Sequence, residues 1–362
     1  MKNKFNILSD KALISVLAMI FVSTNNSQVY AQSTPSEFAE MSLQELFNQS
    51  IFDESDTEVS KWFFSYNYNY IFYKGYRDGS SDLSNEEVLF RPGEVRSTDN
   101  FPVLPTEIDQ QVHLFSLGYQ YSESIRFQFS LPYIKQATDH ISIVPGYDGF
   151  LIESKGIGDV NLLAGRRLFE NIDGNLWLTL GLSLPTGSID EKGDTPRAPG
   201  NQQLPYTMQL GSGTYDALIN VSYARTTLRN WNITGSFRIR SGSNDRDYKL
   251  GNLYTLSTRY SLPAWKILNP FVRVEYQYIE RIDGRDREIV VPGVFPYPAS
   301  ITNPNMFGGQ KANFVLGSEI YSGQSLDKGG IVMELGYPVY QSLNGPQPKT
   351  RWKLSLQYSI GF

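Results

Sequence analysis

The chain has no cysteine in 362 residues. Disulfides, thiolate metal sites and cysteine nucleophiles are therefore excluded. Histidine is scarce: His113 and His140 stand alone and far apart, a poor basis for a zinc site. There is no excess of positive charge. Lys and Arg number 32 against 37 Asp and Glu, which argues against nucleic acid as a partner. Long apolar runs are also missing. The longest, Ala12 to Val22, falls short of the roughly 18–20 residues of a membrane helix.

That short run follows Lys2, Lys4 and Lys11 and precedes Val29-Tyr30-Ala31. This is the layout of a secretory signal peptide, residues 1–31, cut after Ala31. Its removal leaves 29 basic against 36 acidic side chains. Residues 32–60 read as a polar periplasmic N-terminal segment. Ser42-x-x-Glu45 forms a capping-box pattern, and Leu43, Leu46 and Phe47 would share the face of a short helix.

What the chain does have is aromatics, 23 Tyr and 21 Phe, and alternation. It ends Leu354, Leu356, Tyr358, Ile360, Phe362, with Lys353, Ser355, Gln357 and Ser359 between. Period two means a strand with one apolar and one polar face. A last residue that is aromatic suits an apolar face meeting lipid, and Phe362 is the expected handle for the barrel assembly machinery. Trp62, Phe64, Tyr66, Tyr68, Tyr70 and Phe72 make the same kind of face near the start, against Ser65, Asn67 and Asn69. The second strand is expected over 112–121, the third over 125–134, and about twelve in all. Short connections alternate with long ones, notably 74–110, 135–155, 188–206 and 281–308. Such alternation marks an outer-membrane barrel, and Pro- and Gly-rich long loops are expected to be solvated. Residues 61–362 are thus predicted to form an all-β, antiparallel transmembrane β-barrel of the cell outer membrane.

Four motifs punctuate it: "GIGDVNLLAGRRLF" from Gly156, "LSLPTGS" from Leu182, "LGSGTYD" from Leu210 and "YPVYQSLNGPQ" from Tyr337. In this order they resemble the outer-membrane family named for the meta-pathway of phenol degradation, a set of transporters. The resemblance covers roughly residues 60–362. It implies a barrel of this kind and passage of small aromatic or apolar solutes.

Function should sit in the lumen. Alternation aims Arg126, Asp159, Arg238, Arg240, Arg259, Arg273, Glu275, Glu319, Glu334 and Lys353 inward. Two arrangements stay open. A basic wall beside an acidic wall would orient solutes by a transverse field. Alternatively, the charges pair and fill a narrow barrel. The lead expectation is passive uptake of a small solute, without cofactor, bound metal or catalytic residue. Its rivals are a structural barrel with a blocked lumen and a lipid-modifying enzyme. The enzyme needs a serine and a histidine with an orienting partner. His113 faces outward while Ser116 faces inward, and His140 is expected in a loop. Outer-membrane lipid and lipopolysaccharide are the expected partners beside the solute.

Overall fold

The computed structural model describes residues 61–172, 174–225, 231–321 and 329–362. The expected signal peptide and periplasmic segment lie outside these residues. In chain order the strands are β1 (Trp62–Gly79), β2 (Ser81–Leu83), β3 (Val103–Ser122), β4 (Ile125–Ser142), β5 (Gly149–Ile157) and β6 (Val160–Asn171). There follow β7 (Gly174–Leu184), β8 (Lys192–Thr195), β9 (Ala198–Gln203), β10 (Asp216–Arg225), β11 (Trp231–Arg240) and β12 (Tyr248–Lys249). The last are β13 (Leu253–Ser261), β14 (Leu268–Ile279), β15 (Asp283–Gly284), β16 (Gly309–Tyr321) and β17 (Gly330–Gly361).

Eleven of these form one antiparallel ring in the order β1, β3, β4, β6, β7, β10, β11, β13, β14, β16, β17, and β17 pairs back onto β1. An antiparallel ring cannot close on an odd number of staves. β17 resolves the parity. Its 32 residues would stretch over ~100 Å if straight, several times the bilayer core of about 30 Å. Instead, its first part pairs with β16, from Tyr321↔Gly330 to Gly309↔Leu343. Its second part pairs with β1, from Arg77↔Gln347 to Phe63↔Gly361. Gly345, at φ +81°, sits where the direction reverses. The Gln341 carboxamide clamps the fold by bonding both the N–H and the C=O of Thr350. The "YPVYQSLNGPQ" motif is this reversal.

The ring is polar inside and apolar outside. Ser65, Asn67 and Asn69 of β1 are buried, as are Asn220, Ser257 and Asn313. Phe115, Phe127, Phe129, Leu162, Leu180, Leu316 and Leu335 lie exposed on the outer face. This inversion is what a lipid-facing wall requires. Aromatic rings gather at both ends of that band. Trp62 meets Tyr119 at 4.7 Å on the short-turn side, and Tyr70 meets Trp352 at 4.9 Å on the long-loop side.

Beyond the upper aromatics the expected picture changes. β1, β3 and β4 do not stop at the band. β4 continues to Ser142, and β5 pairs with it from Tyr133↔Ile157 to Ile141↔Gly149. The stretch 135–155, expected as a loop, is therefore mostly hairpin, and His140 is buried in a strand. The long connections are packed rather than solvated. Tyr206, Tyr248, Leu250, Ile282, Ile289 and Phe307 form one apolar cluster, and Tyr76, Val88, Phe101, Leu104 and Met306 another. A four-residue helix, α1 (Asn85–Val88), is held by Ser84 and Glu87 in a reciprocal capping box. Together these segments build a cap on the long-loop end.

Candidate functional site

The inward charges meet in pairs rather than in opposed walls. Arg273 of β14 reaches past β16 to Glu334 of β17, at 2.5 Å. Arg259 of β13 reaches past β14 to Glu319 of β16. Lys353, on the second half of β17, comes within 3.5 Å of Glu275 on β14. Nearer the cap, Arg238 and Arg240 of β11 both approach Asp216 of β10, each at 3.5 Å. The Arg238 guanidinium also donates to Asn161 of β6 at 3.5 Å, over two intervening staves. A chord across a skipped stave needs a long side chain, hence Arg, Lys and Glu. Of the two arrangements left open by the sequence, the geometry has the paired one. Arg126 lies at the short-turn end with its guanidinium over the Trp177 ring, at 4.4 Å. Lys311, which was not among the expected residues, donates to Thr350 at 2.8 Å and is wholly buried.

Asp159, which alternation aims at the lumen, has both carboxylate oxygens committed. One accepts from the Gly187 N–H, the other from the Ser212 N–H and hydroxyl, at 2.8–2.9 Å. The stave is interrupted here: β4 pairs with β5 above and β6 below. Asp159 sits in the break and ties down two loop segments. Gly187 and Gly211 touch backbone to backbone, so a side chain at Gly187 would fall 2.7 Å from the Gly211 Cα. Three of the four sequence motifs are thus one knot in the wall.

One patch of the lumen is apolar, which the sequence reading missed. Ile71, Val112, Leu114, Ile134, Leu163 and Leu218 point inward from β1, β3, β4, β6 and β10 and pack with Tyr73 and Leu210. The paired charges occupy β10, β11, β13, β14, β16 and β17. A signal existed: Val112-His113-Leu114-Phe115 breaks alternation, and consecutive apolar residues in a strand mean that both faces are apolar.

In the cap, Ile152, Leu204 and Met208 form a separate apolar cluster, divided from this patch by the hydrogen-bonded Gln136 and Ser154. There a cavity of about 50 Å³ opens between Val103, His140, Phe150, Ile152, Ile289 and Ile301, with Pro196, Pro205, Pro298 and Arg197 at its margin. His140 stacks on Phe150 at 4.5 Å, and Tyr147 meets the same ring edge-on. Burial pushes the His140 imidazole down to about 4, although the Thr138 and Phe150 carbonyls act the other way. It lies on the wall of the cavity as a neutral aromatic. Nearby, burial raises the Asp286 carboxyl against the pull of Arg246.

Among the described residues no cluster of metal-ligating side chains occurs. Neither histidine bonds a serine there: His113 Nδ1 pairs with the Tyr66 hydroxyl, at 2.8 Å, and His140 Nδ1 with the Thr138 carbonyl.

No family model matches the chain, and no curated protein matches its sequence. Solved structures do match. The COG4313 outer membrane channel from Pseudomonas putida F1 superposes with a TM-score of 0.56 at 14% identity, over 86% of this chain and 100% of that one. The translocator domain of the autotransporter NalP from Neisseria meningitidis gives 0.43 at 10% identity, over 93% and 100%. The TodX monoaromatic hydrocarbon channel gives 0.42 at 8% identity, over 84% and 91%. The first of these likenesses shows the fold, that of an outer-membrane barrel.

Proposed function

We propose that this chain is an outer-membrane channel of about twelve staves that passes small apolar or aromatic solutes down their gradient. The carrying observation is the apolar patch inside an otherwise polar barrel, with a second apolar cluster, Ile152, Leu204 and Met208, in the cap near the cavity beside Phe150. A purely structural barrel has no need of apolar clusters in both cap and lumen. A channel for apolar solutes does, because apolar contacts on the way lower the cost of the passage. The resemblance to the phenol meta-pathway family and the fold shared with an outer membrane channel point the same way. Residues 1–31 act as the export signal in this reading, and residues 32–60 remain on the periplasmic side.

The test is uptake into vesicles with a lipopolysaccharide outer leaflet, which slows apolar solutes by itself. The protein should speed entry of a single-ring apolar probe and leave a pentose almost unaffected. Leu163→Glu should abolish the difference. Equal passage of both probes would sink the apolar assignment.

The braces across the charged half support a second reading, a barrel shut by its own network. Single-channel conductance separates the two. Discrete steps favour a path, and silence combined with failed uptake favours the shut barrel.

A further inference from the structure

On the lipid-facing side of β4, Phe127, Phe129, Leu131 and Tyr133 form one outward column. The next outward residue is Lys135. Its direct cross-strand partner on β5 is Lys155, and both side chains are exposed. Like charges placed opposite each other across a ladder are destabilising. Elsewhere on this rim the structure avoids that cost: Lys74 stands opposite Glu107 and contacts it at 2.5 Å. Among the described residues neither Lys135 nor Lys155 has a carboxylate at ion-pair distance, and Lys135 instead stands over the Tyr133 ring at 6.0 Å. The pair therefore offers two ammonium groups at the height where the apolar column ends.

We propose that Lys135 and Lys155 clamp a phosphate of a lipid A-type glycolipid in the outer leaflet, whose acyl chains lie along Phe127, Phe129, Leu131 and Tyr133. Two ammonium groups side by side suit a dianionic phosphate better than a zwitterionic headgroup. The apolar column directly beneath supplies the contact that a soluble phosphate could not use. This site is on the outside of the wall, so it stands whether or not the lumen conducts.

The experiment is native mass spectrometry of the refolded protein in a non-ionic detergent, titrated with diphosphoryl lipid A. Lys135→Gln/Lys155→Gln should weaken retention about 25-fold, near fivefold for each lysine. A charge-matched control, Lys192→Gln/Lys266→Gln, should retain lipid A like the wild type. Fully dephosphorylated lipid A should be held as weakly by the wild type as lipid A is by the double variant. In lipid-free micelles the double variant should unfold no earlier than the wild type, because a repulsion has been removed, and it should lose the stabilisation that lipid A gives. Equal retention by variant and wild type would overturn the proposal. So would equal loss in the control pair, or retention indifferent to the phosphates.

Discussion

The barrel and the cap bury opposite things. In the barrel the inside holds Asn, Ser, Arg and Glu, and the outside holds Phe and Leu. In the cap the inside holds Tyr206, Tyr248, Phe307, Leu104 and Val88, as in a water-soluble protein. The same strands serve both: β1, β3 and β4 pass from one regime to the other along their length. The difference teaches that the solvent outside decides the pattern. Where lipid is outside, hydrophobic side chains turn outward and the core is held by hydrogen bonds and ion pairs. Where water is outside, burial of apolar area drives packing.

The comparison can be broken hardest in the barrel. Arg273→Met would leave the half-buried Glu334 without this partner and should cost about 2–4 kcal/mol. Arg273→Met/Glu334→Leu should recover most of the loss, since an apolar pair of similar volume replaces the ions. Guanidinium unfolding in micelles, followed by tryptophan fluorescence, reads both; a double variant as weak as the single one would show that the loss does not come from the stranded carboxylate.

Next comes the outer face. Leu256→Arg places a charge on the lipid side of β13 and should destabilise by roughly 2–4 kcal/mol if it lies near mid-membrane. A loss below about 0.5 kcal/mol would move that position to the interface.

The cap should respond to acid where the barrel does not. His140 is held neutral by burial, with its value down at about 4. The unfolded segment takes up a proton below about 6.5 and the folded cap does not, so stability falls as pH drops from 6.5 toward 4. The loss should reach roughly 2 kcal/mol at pH 5. Amide exchange of residues 140–155, corrected for intrinsic rates, should accelerate in wild type and not in His140→Gln. A barrel strand such as β14 should stay protected throughout.

The smallest effect sharpens the cap. The Arg96 guanidinium stands 5.0–5.8 Å from the rings of Phe90, Phe101 and Phe295 and donates to the Tyr297 carbonyl. Arg96→Met should loosen this latch by about 1 kcal/mol, visible as faster proteolysis of residues 90–101 with unchanged barrel unfolding.

This contrast also explains what was legible in the sequence. Period-two alternation is written only where lipid touches one face. It therefore marked Trp62 to Phe72 and Leu354 to Phe362 and was the ground for aiming Arg238, Arg259, Arg273, Glu275 and Glu319 inward. It vanished at Lys135-Gln136-Ala137-Thr138-Asp139-His140, where the outer face turns to water and both faces carry polar groups. The strand runs on, but the signal stops. The cap residues were illegible for another reason: Leu204, Tyr206, Tyr248 and Phe307 are scattered singly among Pro and Gly, and only the tertiary fold brings them together. Partner choice among the lumenal charges was hidden as well, because chords across skipped staves depend on barrel curvature, which no local pattern records.

The pairing of β1 with the second half of β17 has a temporal consequence. Hairpin neighbours such as β3 and β4 meet across a turn of a few residues, whereas this seam joins positions separated by on the order of 300. The entropy of closing so long a loop exceeds that of a hairpin by about 3–4 kcal/mol. The seam is therefore the last part to zip. Until it does, both bordering staves expose a full row of unsatisfied amides and carbonyls to any neighbour. The nascent sheet is a sticky open ribbon whose own far end is the correct partner, and whatever escorts it to the membrane has to keep that pair of edges apart from other chains until they find each other.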